Sequence, residues 1–191
     1  IMITAQQLPD DFEQLVSLGV RFNACSLHQL ASFGHRFPGS EVGVRFNPGL
    51  GSGHSNRTNV GGPSSSFGIW HELLGQVEAL QREHDLRITL LHTHIGSGSD
   101  PEVWQRCARL TLNIATSLPE VTTVNLGGGY KIARVEGETS TDLAVAGKPV
   151  VDEFRRFANE NNRRLHLEIE PGTFFVANAG VIVCSVVDVV N

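Results

Sequence analysis

Three short motifs carry residue types suited to chemistry, and each follows a strand-like run of apolar residues. They are His-Thr-His-Ile-Gly-Ser-Gly at 92–98, Gly-Gly-Gly-Tyr at 127–130 and Glu-Pro-Gly-Thr at 170–173. An imidazole can lie flat against an aromatic ring, a glycine turn can bring backbone amides to an anion, and a strand-end carboxylate can hydrogen-bond a ring nitrogen. If the motifs meet at one mouth, they predict a pocket for an aromatic cofactor that carries a phosphate.

Each motif taken alone also has a purely structural interpretation. The triple glycine lacks the lysine of a P-loop and the spacing of a dinucleotide fingerprint, so it could be only a tight turn. His94 could be a hydrogen-bonded core residue, and Glu170 could simply pair with Arg45 across the interior. The prediction of a cofactor pocket therefore rests on the set of motifs.

His92 and His94 also allow a different site, because they form a His-x-His pair on one face of a strand. Several metallohydrolase barrels begin their metal site in this way, and Glu168 or Glu170 with another histidine could supply further ligands. A metal-dependent barrel hydrolase is therefore an alternative, although it leaves the glycine clusters unexplained.

The elements that must position these motifs alternate between strand-like and helix-like patterns. The sequence predicts strands at 1–5, 20–25, 42–47, 88–95, 121–126 and 165–170. It predicts helices near 10–18, 27–36, 70–84, 101–117 and 149–162. The fourth helix is the best marked, with Asp100 as its cap and Pro101 in its first turn. This alternation is typical of parallel strands with helices packed outside.

The side-chain phase of the strands favours a barrel over an open sheet. In the third strand the apolar face holds Val42, Val44 and Phe46, and the polar face holds Gly43, Arg45 and Asn47. An apolar face under helices and a polar face towards an interior suit a (β/α) barrel, whereas a doubly wound sheet buries both faces. The predicted fold class is therefore α/β, a TIM-type (β/α)8 barrel.

We expect this barrel to be partial. Only six of eight βα units can be counted, and a complete barrel usually takes ~250 residues. Residues 1–180 are therefore predicted to form a partial barrel that binds the cofactor, and 181–191 to begin a β domain that is otherwise lacking. A small self-sufficient α/β domain is the alternative. Two long loops, 48–66 and 131–147, are expected to be either lids or solvated tethers.

Composition narrows the class of partner. The chain has 191 residues, a formal net charge of -5 and no Lys/Arg cluster, which argues against a nucleic-acid surface. No run approaches the ~20 apolar residues of a membrane helix. Three widely spaced cysteines without metal-ligand spacing are typical of reduced thiols in a cytoplasmic protein. A small metabolite is therefore the expected partner.

In motif order and content the chain resembles the barrel domain of the fold-type III pyridoxal-phosphate decarboxylases, which have an alanine racemase-like barrel. This group contains the diaminopimelate, ornithine and carboxynorspermidine decarboxylases. Minor motifs extend the resemblance over nearly the whole chain: Val-Arg-Phe-Asn-Pro at 44–48, Phe-Gly-Ile at 67–69 and Val-Ala-Asn-Ala-Gly at 176–180. The last of these is closer to the diaminopimelate decarboxylases.

The resemblance implies pyridoxal 5'-phosphate as cofactor and a role for each motif. His94 would stack on the cofactor ring and Glu170 would pair with the ring nitrogen, which makes both catalytic. Arg45 would line the same cavity. The phosphate would be held by Ser97, by the amides of Gly128 and Gly129, and by the turn formed by Pro171, Gly172 and Thr173.

The reaction implied is loss of the α-carboxylate from a basic or diamino acid, in lysine or polyamine metabolism. The family's Schiff-base lysine lies in a Lys-Ala-Asn type motif on the first barrel strand, whereas this sequence has only Lys131 and Lys148. Thr173 stands where an arginine is common. The resemblance also implies a homodimer, and a non-catalytic regulatory homologue of such a decarboxylase is a further alternative.

Overall fold

The computed structural model describes residues 1–50, 62, 65–97 and 100–189. Gly98, most of the predicted loop at 48–66 and the last two residues of the predicted β domain lie outside the described residues. Within the described part every strand pairing is parallel. The strands are β1 (Met2–Ile3), β2 (Arg21–Ala24), β3 (Glu41–Asn47), β4 (Ile69–Trp70), β5 (Arg87–His92), β6 (Thr123–Asn125) and β7 (His166–Glu168).

Helices follow the strands and cover one side of the sheet. They are α1 (Phe12–Ser17), α2 (Leu27–Arg36), α3 (Leu74–Glu83), α4 (Pro101–Ser117), α5 (Leu143–Asn161) and α6 (Gly172–Val176), with 3₁₀ turns at His71–Leu73 and Ala177–Ala179. The six predicted strands are all present, five of them in shorter form and β3 one residue longer than predicted. The sequence missed β4, which pairs only with the end of β3, and α6, which follows Pro171.

The sheet curls into a half-barrel. Its strands run in the order β1-β2-β3-β5-β6-β7, so β2 and β7 are separated by four strand spacings. In a flat sheet that separation is about 19 Å, more than an arginine and a glutamate can span together. Yet the Arg21 guanidinium lies 3.6 Å from the Glu168 carboxylate. This contact requires a concave inner face and confirms the predicted α/β barrel arrangement.

The apolar phase of the strands faces the helices, as predicted. Val42, Val44 and Phe46 belong to the same hydrophobic core as Val77 of α3 and Ala108 of α4. The opposite phase of β3 faces the interior, where a Cβ atom added at Gly43 would meet the side chains of Asn23 and Leu90.

A β-bulge at Thr89 sets the phase of β5. Val42 pairs with Ile88, but its neighbour Gly43 pairs with Leu90, so Thr89 has no opposite residue. The extra residue lets Ile88 point into the hydrophobic core while Leu90 and the following histidine face the interior. Beyond the bulge Thr93 points outward, where its hydroxyl lies 3.1 Å from the Thr111 hydroxyl of α4.

Helix α5 begins at Leu143, six residues before the predicted start at 149. The Asp142 carboxylate accepts hydrogen bonds from the Ala144 and Val145 amides and so caps the helix upstream of Pro149. The predicted loop at 131–147 is correspondingly shorter. Its two ends are joined by a bond of 2.8 Å from the Thr141 amide to the Lys131 carbonyl.

No helix among the described residues is long and apolar enough to cross a membrane. All three cysteines are free, with Cys25 and Cys107 buried and Cys184 exposed. Residues 181–189 adopt no helix or strand and are exposed. The division into domains at residue 180 stays a prediction.

Candidate functional site

The three motifs meet at the carboxyl ends of β5, β6 and β7, and the glycine turn is the point of contact. A Cβ atom added to any of its three glycines would collide with one of the other two motifs. The collisions are with the His94 ring at Gly127, the Glu170 carbonyl oxygen at Gly128 and the Gly96 carbonyl oxygen at Gly129. Residues without side chains are therefore required for this close approach.

Hydrogen bonds hold the glycine turn to both neighbours. The Glu170 amide donates to the Gly127 carbonyl at 2.8 Å, and the Gly128 amide donates to His94 Nδ1 at 3.1 Å. The second bond fixes the imidazole orientation. It also uses the Gly128 amide, so the predicted contact of this amide with a phosphate requires that the bond to His94 be exchanged.

Asn125, at the end of β6, joins the glycine turn to the glutamate. Its Oδ1 accepts a hydrogen bond of 2.8 Å from the Gly127 amide, and its Nδ2 donates to Glu170 Oε1 at 3.0 Å. The side chain is 3 % exposed. Sequence reasoning missed this residue, although a polar amide two positions before the triple glycine, on the inner phase of its strand, was the available signal.

Polar residues form a continuous row across four strands. Register pairs Arg45 of β3 with His92 of β5, His92 with Asn125 of β6, and Asn125 with Glu168 of β7. Residues paired in a parallel sheet share a face, so this row lines the interior directly below Glu170.

His92 is buried and held in one orientation. Its Nδ1 lies 3.0 Å from Asn23 Nδ2 and 3.3 Å from the Thr4 hydroxyl, and its Nε2 lies 4.0 Å from Glu170 Oε1. Because Asn23 Nδ2 donates, Nδ1 accepts and the proton of the neutral ring lies on Nε2, facing the glutamate. Burial, followed by the charges of Arg45 and His94, lowers the pKa of His92 to about 3.

Burial also lowers the pKa values of two neighbouring titratable groups, His94 and Arg45. Burial and the nearby Arg45 charge lower the pKa of His94 to about 4, so this ring is also neutral at physiological pH. Burial lowers the pKa of Arg45, while the neighbouring Cys25 and Glu170 act in the opposite direction. The Arg45 guanidinium carbon lies 5.3 Å from the centre of the Phe67 ring.

Glu170 keeps a free oxygen at the mouth. Asn125 binds its Oε1, and the side chain remains 41 % exposed. Among the described residues Glu170 forms no ion pair with Arg45, and the pair that crosses the interior is Arg21 with Glu168. The alternative interpretation of Glu170, as the partner of Arg45, is therefore wrong.

The remaining predicted site residues lie at the rim. Ser97 follows the His94 segment and is exposed, and Pro171 precedes the short helix α6 that contains Gly172 and Thr173. The Gly172 amide donates to the Glu170 carbonyl at 2.8 Å, which folds this turn back over β7. The structure thus brings Ser97 and the turn at 171–173 to the same mouth as His94 and Glu170.

The pKa of His92 predicts how stability depends on pH. In the unfolded chain the imidazole binds a proton below about pH 6.5, whereas in the folded protein it resists protonation down to about 3. Its contribution is therefore fully present above pH 6.5 and is lost as the pH falls towards 3. Between pH 7.5 and 5 this group alone accounts for a loss of about 2 kcal/mol in the free energy of unfolding.

Urea denaturation at the two pH values tests this expectation with His92→Gln and, as the matched control, His28→Gln on the exposed face of α2. The difference in the free energy of unfolding between pH 7.5 and pH 5 should become smaller in His92→Gln and stay unchanged in His28→Gln. An unchanged difference in His92→Gln would show that the imidazole is protonated in the folded protein at pH 5.

The structure also tests the alternative that His92 and His94 begin a metal site. In the part of the chain that the structure describes, no group of three or more His, Cys, Asp or Glu side chains is placed to bind one ion. His92 directs one nitrogen to Asn23 and Thr4, and His94 directs one to the glycine turn.

Comparison with known proteins gives the family. The family model described as the pyridoxal-binding domain of pyridoxal-dependent decarboxylases matches residues 3–177. The chain belongs to this family. The resemblance to the pyridoxal-phosphate decarboxylases found in the sequence is thereby confirmed. The cofactor of this family is pyridoxal phosphate.

Named relatives and solved structures agree. The domain is 36 % identical over 188 residues to diaminopimelate decarboxylase of Streptomyces coelicolor, covering 97 % of this chain and 43 % of the relative. It is 34 % identical over 176 residues to that of Escherichia coli K12, covering 91 % and 42 %. A crystal structure of diaminopimelate decarboxylase matches with a TM-score of 0.84 at 31 % identity, over 93 % of this chain and 42 % of that one.

A more distant match supports the fold alone. The arginine decarboxylase of Paramecium bursaria Chlorella virus, bound to agmatine, has a TM-score of 0.67 at 22 % identity, over 91 % of this chain and 45 % of that one. The pyridoxal-binding domain described here spans less than half the length of the relatives it matches.

Proposed function

We propose that this domain holds pyridoxal 5'-phosphate in an enzyme that decarboxylates a basic or diamino acid, as a diaminopimelate decarboxylase does. One observation carries the proposal: the glycine turn packs against His94 on one side and Glu170 on the other, without room for a Cβ atom. This arrangement places an imidazole face, backbone amides and a carboxylate around one mouth, and these groups fit a ring that carries a phosphate.

Each part of the cofactor has a group to hold it. The neutral His94 ring would lie against the face of the pyridine ring, and Arg45 would line the wall beside it. Ser97 would bind the phosphate at one side of the mouth. Gly129 and the turn of Gly172 and Thr173 would bind it from the other sides, joined by Gly128 if its amide leaves His94.

Glu170 would control the proton on the ring nitrogen. The bound cofactor supplies an electron sink for the bond to the departing carboxylate, and the sink is stronger when the ring nitrogen is protonated. The free Glu170 oxygen at the mouth would accept a hydrogen bond from that protonated nitrogen. Asn125 holds the other oxygen.

The substrate class is supported by the relatives, which are named diaminopimelate decarboxylases. We extend the proposal to a homodimer that acts in the cytoplasm, with 1–180 as the cofactor-binding barrel and 181–191 as the start of a β domain. Lys148 bonds Asp152 on an exposed face of α5. It is therefore not placed to reach the cofactor.

The test uses the full-length protein that contains these residues. We expect the purified protein to absorb in the near-ultraviolet to visible range and to contain one phosphate per protein chain. It should release carbon dioxide from a diamino acid, and diaminopimelate, lysine, ornithine and arginine should be compared. A colourless preparation that contains no phosphate would contradict the proposal, and bound cofactor without carbon dioxide release would favour the regulatory homologue.

A further inference from the structure

Asn125 joins the glycine turn to Glu170 through two bonds that no single charged or hydroxyl side chain could make together, and its Nδ2 also lies 3.4 Å from Glu168 Oε2. Its Oδ1 accepts from the Gly127 amide at 2.8 Å, and its Nδ2 donates to Glu170 Oε1 at 3.0 Å. An aspartate would keep only the accepting half, and a serine would be too short to reach both groups. The amide thus ties the glycine turn, which shapes the phosphate side, to the carboxylate, which serves the ring side.

The burial of Asn125 makes the loss of either hydrogen bond costly. Asn125 is 3 % exposed, so no water replaces a lost partner at low cost. Glu170 is held by Asn125 at only one of its oxygens, and its backbone amide is bonded to the carbonyl of the same Gly127 that Asn125 binds. Rotation of the Glu170 side chain would break the Asn125 bond, so Asn125 selects one direction for the free oxygen.

We propose that Asn125 is a positioning residue that orients the Glu170 carboxylate towards the cofactor ring and simultaneously fixes the glycine turn that receives the phosphate. The inference rests on the proposed function and extends it to a residue that acts through two others. The Nδ2 group of Asn125 governs turnover, because it orients Glu170. The Oδ1 atom governs cofactor affinity, because it fixes Gly127.

The first experiment compares Asn125→Ala with Asn113→Ala, a control at an exposed position of α4, in the full-length protein. Cofactor affinity is measured by titrating pyridoxal phosphate into the cofactor-free protein, and kcat is measured at saturating cofactor. Loss of one charged and one neutral hydrogen bond predicts that Asn125→Ala lowers each quantity about tenfold or more. Asn113→Ala should change neither.

The second experiment separates positioning from a merely structural role. In a Glu170→Gln background, adding Asn125→Ala should lower kcat by less than about twofold, because the carboxylate that Asn125 orients is already gone. Cofactor affinity should still fall about tenfold, because the Gly127 bond is lost in both backgrounds. Equal losses of kcat in both backgrounds would overturn the inference.

A swapped pair tests the bond itself and does not depend on activity. Asn125→Asp combined with Glu168→Gln and Glu170→Gln lets both glutamine amides donate to the aspartate, and the aspartate still accepts from the Gly127 amide. Glu168→Gln is included because the Glu168 carboxylate lies 3.4 Å from Asn125 Nδ2 and would repel an aspartate at position 125. Cofactor affinity of this triple variant should match that of Glu168→Gln with Glu170→Gln, well above that of the same pair with Asn125→Ala. Equal affinity of the two triple variants would overturn the inference. If the unsubstituted protein bound no pyridoxal phosphate, the proposed function itself would fail.

Discussion

Glu170→Gln is expected to lower turnover by roughly 100-fold or more while the protein keeps its pyridoxal phosphate. The amide retains the size of the carboxylate and leaves the backbone contacts of residue 170 with Gly127 and Gly128 in place. It removes the negative charge that would hold a proton on the ring nitrogen. The substitution therefore weakens the electron sink and leaves the phosphate cup intact.

The matched control is Glu168→Gln, two residues earlier at the end of β7. Glu168 lies 3.6 Å from Arg21 on the far side of the interior and within 3.4 Å of the same Asn125 amide. Turnover and bound phosphate should be measured for both variants. A similar fall in turnover for both would indicate a general electrostatic effect, and unchanged turnover in Glu170→Gln would remove Glu170 from this role.

Gly129→Ala is expected to abolish tight cofactor binding and to destabilise the protein. Gly129 has φ of +99°, and an added Cβ would overlap the Gly96 carbonyl oxygen. The backbone conformation alone costs about 1 to 2 kcal/mol for an L-residue. The collision with a backbone group, which cannot rotate away, adds about 1 to 3 kcal/mol or separates the turn from the His94 segment.

Gly137→Ala separates the two effects. Gly137 has a similar φ of +85°, but an added Cβ meets no atom within 4 Å. Urea denaturation should show only the conformational cost in Gly137→Ala, with cofactor affinity unchanged. Equal losses of stability in the two variants, with cofactor still bound by Gly129→Ala, would contradict the close contact between the glycine turn and the segment around Gly96.

The barrel could be predicted from the sequence because alternation along a strand records which side is covered by helices. The apolar phase of β3 and the cap at Asp100 are local signals, and the structure retains both. The early start of α5 was missed because Pro149 resembles a first-turn proline, whereas the actual cap is Asp142. The strand β4 has two residues and depends entirely on β3 for its definition.

The sequence predicted which motifs form the site. It could not predict the hydrogen bonds that join them. That Glu170 lies beside the glycine turn follows from adjacent strand ends, but the sequence does not say which polar side chain joins them. The position of Asn125 on the inner phase of β6 was a signal, but its bonds to Gly127 and Glu170 became visible only in the structure. Thr4 had no local signal, because it reaches His92 from 88 positions earlier in the chain. Likewise, nothing local indicates that the Gly128 amide binds an imidazole.

Thr89, which has no partner residue on β3, divides β5 into two stretches whose odd and even positions are assigned independently. Upstream of it Ile88 belongs to the layer under the helices, and downstream of it His92 belongs to the cavity. Deleting Thr89 would remove the bulge and leave Ile88 and His92 on their present faces, whereas a one-residue insertion or deletion elsewhere in β5 that keeps the bulge would exchange inside and outside on one side of the change. Thr89 is therefore the position of this strand at which the loss of one residue disturbs the site least.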